Sequence, residues 1–192
     1  MRIQLIRNAT MKIAYAGKTL LTDPVLSRRN SLPSFAGMEK NPTVDLPFSV
    51  EEILSGVDGV VISHDHPDHL DQAAISALSE EIPVFCQPED EARLGSAGFR
   101  DVRPVESFAE WDGITLARTP GRHGQGRTGE MMGPVSGFLL QAETEPTVYW
   151  VGDSVWCDEV EEIVTTRNPD VVVTHSGGAA FSPDAQPIIM DG

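Results

Sequence analysis

A layered α/β domain is the fold class this sequence predicts, and three observations predict it. Segments reading strand, helix, strand, helix, strand follow one another from Asp58 to Val105, the order of an α/β unit. Hairpin signals flank that stretch on both sides, so strand-rich segments border helices in both halves, as two stacked β/α layers require. At 192 residues the chain fits one domain over 1–192, because domains mostly run ~100–200 residues.

The elements follow from local pattern. RIQLIRN alternates apolar and polar residues, MKIAY follows, and TLLTD comes after Ala16-Gly17-Lys18 and ends at Asp23-Pro24. Two or three antiparallel strands are expected there. Residues 25–48 carry Pro33, Gly37, Pro42 and Pro47 without periodicity; they read as a long irregular loop, a candidate lid. Ser49 followed by Glu51-Glu52 reads as an N-cap with an acidic first turn for a short helix through Leu54. Asp58-Gly59-Val60-Val61-Ile62-Ser63 then gives a buried strand.

DQAAISALSEE has apolar residues at 74, 75, 77 and 78, one helix face, and PVFCQ is a short buried strand. PEDEARLGSAG reads as a helix ended by glycine and FRDVRPV as the next strand. Asp112-Gly113 is a turn signal before ITLART, and SGFLLQA and TVYWVG are joined by the turn-like ETEP. A helix beginning near Val155 carries apolar positions 156, 160, 163 and 164, stops at Asn168-Pro169, and leads to the buried strand VVVTH.

Composition removes several classes of function. With 40% hydrophobic and 22% charged residues the chain is globular rather than disordered. Fourteen basic against 29 acidic residues give −15, which repels a phosphate backbone and argues against nucleic-acid binding. Part of that charge is offset if carboxylates hold cations. No apolar run approaches ~18 residues and the N-terminus lacks a signal-peptide core, so a soluble cytoplasmic protein without a membrane partner is expected. Cys86 and Cys157 are the only cysteines, too few for a disulfide framework, and both read as buried neutral thiols.

SHDHPDH, residues 63–69, holds three of the five histidines. His64, His66, Asp68 and His69 offer imidazole and carboxylate ligands, and a nitrogen and oxygen set without thiolate argues against a closed structural zinc site. Strand-end residues 64 and 66 point one way and the turn brings 68 and 69 to a neighbouring point, so the stretch can feed two metals. Asp65 occupies a variable position and reads as solvated or supporting. The remaining histidines, His123 and His175, each follow a predicted strand.

On SHDHPDHLD, together with LTDP, GRHG, VGDSVW and PIIMD in that order, the chain resembles the metallo-β-lactamase superfamily of metal-dependent hydrolases. Within it, the likeness is to the L-ascorbate-6-phosphate lactonase-like branch. The resemblance implies an αββα sandwich with its site at the sheet edges. It assigns His64, His66 and His123 to a first metal, Asp68 and His69 to a second, and Asp153 to a bridge between them; the alternative for Asp153 is a helix cap. Asp23 matches an aspartate that orients ligands, with a plain Asp-Pro turn as the alternative. The implied cofactor is zinc, one or two ions, with manganese or iron also compatible.

The implied chemistry is a metal-activated water attacking a small ester, lactone, amide or phosphoester, with Asp68 holding the water and carrying its proton. The family pattern leads one to expect a further helix, strand and histidine beyond IIMDG, and the sequence here does not contain them. A mononuclear or weakened dinuclear site follows as the first expectation, ahead of recruitment of His175 or of a ligand from another subunit, and an uncovered sheet edge favours a homo-oligomer or marginal stability. His175 has three open roles: substitute ligand, pocket lining, or a bond to backbone. Arg118, Arg122 and Arg127 flank His123 in ARTPGRHGQGRTGE and suit an anionic substrate, or else pair with nearby carboxylates. Trp111, Trp150 and Trp156 read as core or loop anchors. The competing readings are a small-molecule phosphodiesterase or nuclease of the same fold, and a nonenzymatic metal-binding protein.

Overall fold

A computed structural model of the chain describes residues 1–34 and 39–191. The described residues fall into two compact units, one ending at Pro104 and the other beginning at Val105.

The first unit is built on a six-stranded mixed sheet in the order β1-β2-β3-β4-β5-β6. Strands β1 (Arg2–Arg7), β2 (Thr10–Tyr15) and β3 (Lys18–Thr22) form the expected antiparallel meander. Then β4 (Gly59–Val61), β5 (Val84–Cys86) and β6 (Val102–Pro104) add in parallel. Parallel neighbours need crossovers, and these carry α1 (Val50–Leu54), α2 (Gln72–Ala77) and α3 (Glu91–Ser96). Ser49 caps α1 in a full capping box with Glu52. Asp71 caps α2 through Ala74 N and also accepts Ser27 N at 2.8 Å. On α2 the expected apolar face is narrower than its spacing suggests: Ala74 and Leu78 are buried, but Ala77 is exposed.

Leu21, Ile53, Val60, Ile62, Leu70, Val84 and Leu94 close this unit's core, each contributing about 1.5–3 kcal/mol by burial. Residues 25–48 contain, where described, only the isolated bridge Leu32 to Asn41; Gly37 lies outside the described residues. The buried Arg7 guanidinium donates to the carbonyls of Val25 and Ser27, both at 2.7 Å, and of Val44 at 3.1 Å. Arg7 therefore anchors both ends of that loop.

The second unit has a five-stranded sheet in the order β11-β10-β9-β8-β7. It comprises β7 (Phe108–Trp111), β8 (Ile114–Pro120), β9 (Ser136–Ala142), β10 (Glu145–Trp150) and β11 (Val171–Val173). Neighbours are antiparallel except β10 and β11, which are parallel and joined through α5 (Asp158–Arg167). Asn168 ends α5 in the left-handed conformation, φ 44°. A further helix, α4 (Gly126–Met132), lies between β8 and β9.

Two expectations need correction here. VVV was expected to be buried, but β11 is the sheet's edge strand and Val172 is 41% exposed: a three-valine run carries no alternation to distinguish an edge from a centre. Trp111 and Trp150 are buried as expected, whereas Trp156 is 55% exposed and precedes α5 rather than lying on it. No helix among the described residues is long and apolar enough to cross a membrane.

Both cysteines are free and buried. Burial, with Asp90, Glu91 and Glu89 adding to it, pushes the Cys86 thiol up to about 12, leaving it unreactive. Burial also pushes the Asp90 carboxyl up to about 6, against a hydrogen bond from Gln87 and with Glu89 and Asp23 raising it further. Its Oδ2 is buried without a hydrogen-bond partner among the described residues. A carboxyl whose folded pKa is raised favours folding in its protonated form; that contribution is full below the unfolded value and is lost as pH rises through about 6. Asp90→Asn should therefore stabilise the protein by about 1–3 kcal/mol at pH 8, allowing for solvent screening. Denaturant titrations should show the gain vanish near pH 4; an equal gain at both pH values would contradict this account.

Candidate metal centre

In the first unit, β3 and β4 are parallel neighbours with Thr22 opposite Val61, so their C-terminal ends lie side by side. Asp23 ends one strand and Ser63-His64 the other. Asp23 is fully buried, with φ 36°. Its Oδ1 accepts Ser63 N at 2.8 Å, and its Oδ2 accepts Ser63 Oγ at 2.6 Å and His69 Nδ1 at 2.5 Å. Asp23 is thus more than an Asp-Pro turn.

This network fixes histidine tautomers. Ser63 has one hydroxyl proton, committed to Asp23, so its oxygen accepts Nδ1–H of His64 at 3.0 Å. His64 Nε2 then carries the lone pair. His69 likewise gives Nδ1–H to Asp23. The Nδ1 of His66 lies 2.8 Å from Nε2 of His64, a hydrogen-bond distance at which His66 Nδ1–H donates to that lone pair; the ~3.3 Å of two nitrogens on one tetrahedral ion would part the rings by about 0.5 Å.

The turn itself is held by His66 N to the His64 carbonyl at 3.1 Å, and by His69 N and Leu70 N to the His66 carbonyl, both at 2.9 Å. Asp68 is half-buried, and its Oδ1 is buried with no hydrogen-bond partner among the described residues. An acceptor left open at such a place is chemically available. Asp65 pairs with Arg93, a supporting contact.

In the second unit, β8 and β10 run in the same direction on either side of β9, Arg118 and Trp150 both pairing with Phe138. Their C-terminal ends deliver His123 and Asp153. Arg122 N donates to Ser154 Oγ at 2.9 Å and Val155 N to the Arg122 carbonyl at 2.8 Å, tying the two loops together. His123 is buried and gives Nδ1–H to the Ile188 carbonyl at 2.8 Å, which leaves the lone pair on Nε2. That Nε2 lies 3.7 Å from Asp153 Oδ2. Asp153 is not a helix cap, because the N-cap of α5 is Cys157.

His175 follows β11, the parallel neighbour of β10, and reaches Asp153 Oδ1 from Nδ1 at 2.5 Å. Trp150 Nε1–H donates to its Nε2 at 3.2 Å. His175 is thus engaged by two side chains, Asp153 and Trp150.

A cavity of about 550 Å³ opens beside His123, with Gly124, Glu130, Trp156 and Asp158 among its lining residues. Gly129 of α4 packs against the His123 loop so closely that a Cβ there would lie 2.7 Å from the Gly124 carbonyl oxygen. Arg122, also in the lining, is bound to Glu159 Oε1 through Nε at 3.1 Å and Nη2 at 2.7 Å. Arg118 donates to the Glu106 carbonyl and Ser136 Oγ, and Arg127 is exposed on α4. Ser63 and Ile188 are the participants that sequence reasoning missed. A serine beside the histidine run was a usable signal; a backbone carbonyl carries none.

Comparison with known proteins follows the same lines. Residues 18–190 match the Beta-lactamase superfamily domain. The UPF0173 protein YddR of Bacillus subtilis is 36% identical over an alignment of 183 residues that covers 92% of this chain and 72% of that one. A crystal structure described as a possible metal-dependent hydrolase from Veillonella parvula superposes with TM-score 0.94 at 36% identity, over 98% of this chain and 76% of that one. An isothiocyanate hydrolase from Delia radicum gut bacteria superposes with TM-score 0.91 at 34% identity, over 100% of this chain and 77% of that one.

Asp23→Asn should be costly, because the amide places a donor against one of three donors. An expected loss of about 1–3 kcal/mol is checked by urea unfolding of the metal-free protein. Unchanged stability would mean that Asp23 does not organise the turn.

Proposed function

The chain belongs to the Beta-lactamase superfamily and has the metallo-β-lactamase fold, and on that premise we propose a zinc-dependent hydrolase of small molecules. One observation carries the reading. His64, His69 and His123 each have Nδ1 held, by Ser63, Asp23 and the Ile188 carbonyl respectively, so each presents Nε2 as a ligand. Histidines serving only as packing have no need of one common tautomer.

In this reading His64, His66 and His123 hold a first ion, Asp68 and His69 a second, and Asp153 serves both. The donor set fits, being imidazole and carboxylate without thiolate, which suits zinc and also manganese or iron. When bound, the ion supplies Lewis acidity and brings the pKa of a coordinated water from ~15.7 toward ~7. Asp68 Oδ1, buried and without a hydrogen-bond partner among the described residues, would accept a proton there. Ser63 and Asp23 keep the imidazoles of His64 and His69 in place throughout.

Esters, lactones, amides and phosphoesters are the substrate classes this chemistry reaches. Isothiocyanates join them because of the 34% identical hydrolase of that name. Arg122 is engaged by Glu159, and Glu130 and Asp158 also line the cavity, so an uncharged substrate suits it better than an anion. Residues 1–192 are taken as one catalytic domain working in the cytoplasm, without nucleic-acid or membrane partners. Self-association is a question for sizing chromatography.

Metal content per chain, measured by elemental analysis alongside turnover on a panel of isothiocyanates, lactones, esters and phosphodiesters, tests the reading. Turnover should be lost with chelator and restored by zinc; metal without turnover on any member would favour a binding protein. His66→Ala should remove the first ion, and unchanged metal content would sink the ligand assignment.

A further inference from the structure

We propose that His175 is a positioning residue for Asp153: it holds Oδ1 of the carboxylate, is itself held by Trp150, and so keeps Oδ2 turned toward His123 and the proposed metal centre. The inference rests on reading Asp153 as a ligand, and it assigns a role to a histidine that the ligand set leaves over.

The tautomer follows from elementary chemistry. An indole Nε1–H can only donate, so Nε2 of His175, 3.2 Å from Trp150 Nε1, is an acceptor. The imidazole proton therefore sits on Nδ1, which donates to Asp153 Oδ1 at 2.5 Å. With both nitrogens engaged, His175 would have to give up one of these contacts to bind an ion. Trp150 is 1% exposed, so its N–H has no water to fall back on and needs this acceptor.

The backbone makes the contact repeatable. Strands β10 and β11 pair in parallel with Trp150 opposite Val173, and Val151 N donates to the Val173 carbonyl at 3.0 Å. Asp153 and His175 therefore leave adjacent strand ends in matched register. The two oxygens of Asp153 face different imidazoles: Oδ1 meets His175, while Oδ2 lies 3.7 Å from His123 Nε2. That second distance is long for a hydrogen bond and suits two ligands sharing an ion. A carboxylate with a free χ2 would exchange its oxygens; one clamped at Oδ1 keeps its orientation.

Two measurements test this. In the metal-free protein, long-range 1H–15N NMR of the imidazoles should show His175 in the Nδ1–H tautomer, and Trp150→Phe should shift its Nε2 resonance. The Nε2–H tautomer would overturn the proposal whatever the metal does. Zinc affinity, by competition with a chromophoric chelator, should fall ~10–100-fold in His175→Ala and largely return in His175→Asn, whose amide can donate to Oδ1. Wild-type affinity in His175→Ala overturns the positioning role. So does an unrescued loss combined with disappearance of one imidazole signal from the cobalt-substituted protein, which would make His175 a direct ligand. A wild-type chain that takes up no metal removes the metal centre and this role together, and is told apart by an Nδ1–H tautomer that persists.

Discussion

A carboxylate with no exposed surface governs the histidine turn of the first unit. Asp23 sits at a strand end in a positive-φ conformation and accepts three donors. A buried carboxylate is tolerable only when its lone pairs are filled, so Ser63 and His69 are obliged to stand where they do. His64 follows through Ser63. The turn from His64 to Leu70 is thus fixed from beneath by one side chain 40 residues earlier, and the imidazoles need no ion to choose their tautomers. Preorganisation of this kind moves the cost of ordering from metal binding to folding.

The second unit solves the same problem with different parts. There, too, the functional side chains leave the C-terminal ends of like-directed strands, Asp153 from β10, His175 from β11 and His123 from β8. The partners differ in kind: His123 is oriented by a backbone carbonyl and Asp153 by an imidazole. Parallel register explains why residues 22 apart in sequence meet, because strand pairing aligns the ends before any side chain acts.

How much of this the sequence disclosed depends on range. The histidine run, the capping box at Ser49 and the β1 to β3 meander are local patterns, and they appear where the spacing put them. Helix α4 was hidden because GRTGEMM carries two glycines and no apolar stripe, so neither propensity nor periodicity marks it. Strand β7, FAEW, is too short to signal more than the Asp112-Gly113 turn beside it. Trp156 sat in register with the apolar positions of α5, yet the helix begins only at Asp158 and the indole faces solvent. Arg122 suited an anionic substrate or a nearby carboxylate, and Glu159 at 2.7 Å is the partner found. The partners of His175 are legible only from strand register, which no single sequence supplies.

The carbonyl of Ile188 ties the orientation of His123 to a segment far along the chain. Ile188 belongs to a segment without regular structure, attached through Ile188 N to Ala179 at 2.8 Å, Met190 N to Ser154 at 3.1 Å, and the buried Met190 side chain. Such segments open more readily than strands do. Each opening would release Nδ1 of His123, let the ring rotate, and loosen Ser154 next to Asp153. In the proposed centre the orientation of His123 would thus depend on how firmly residues 178–190 are held by Ile188 and Met190, and not on strand pairing alone.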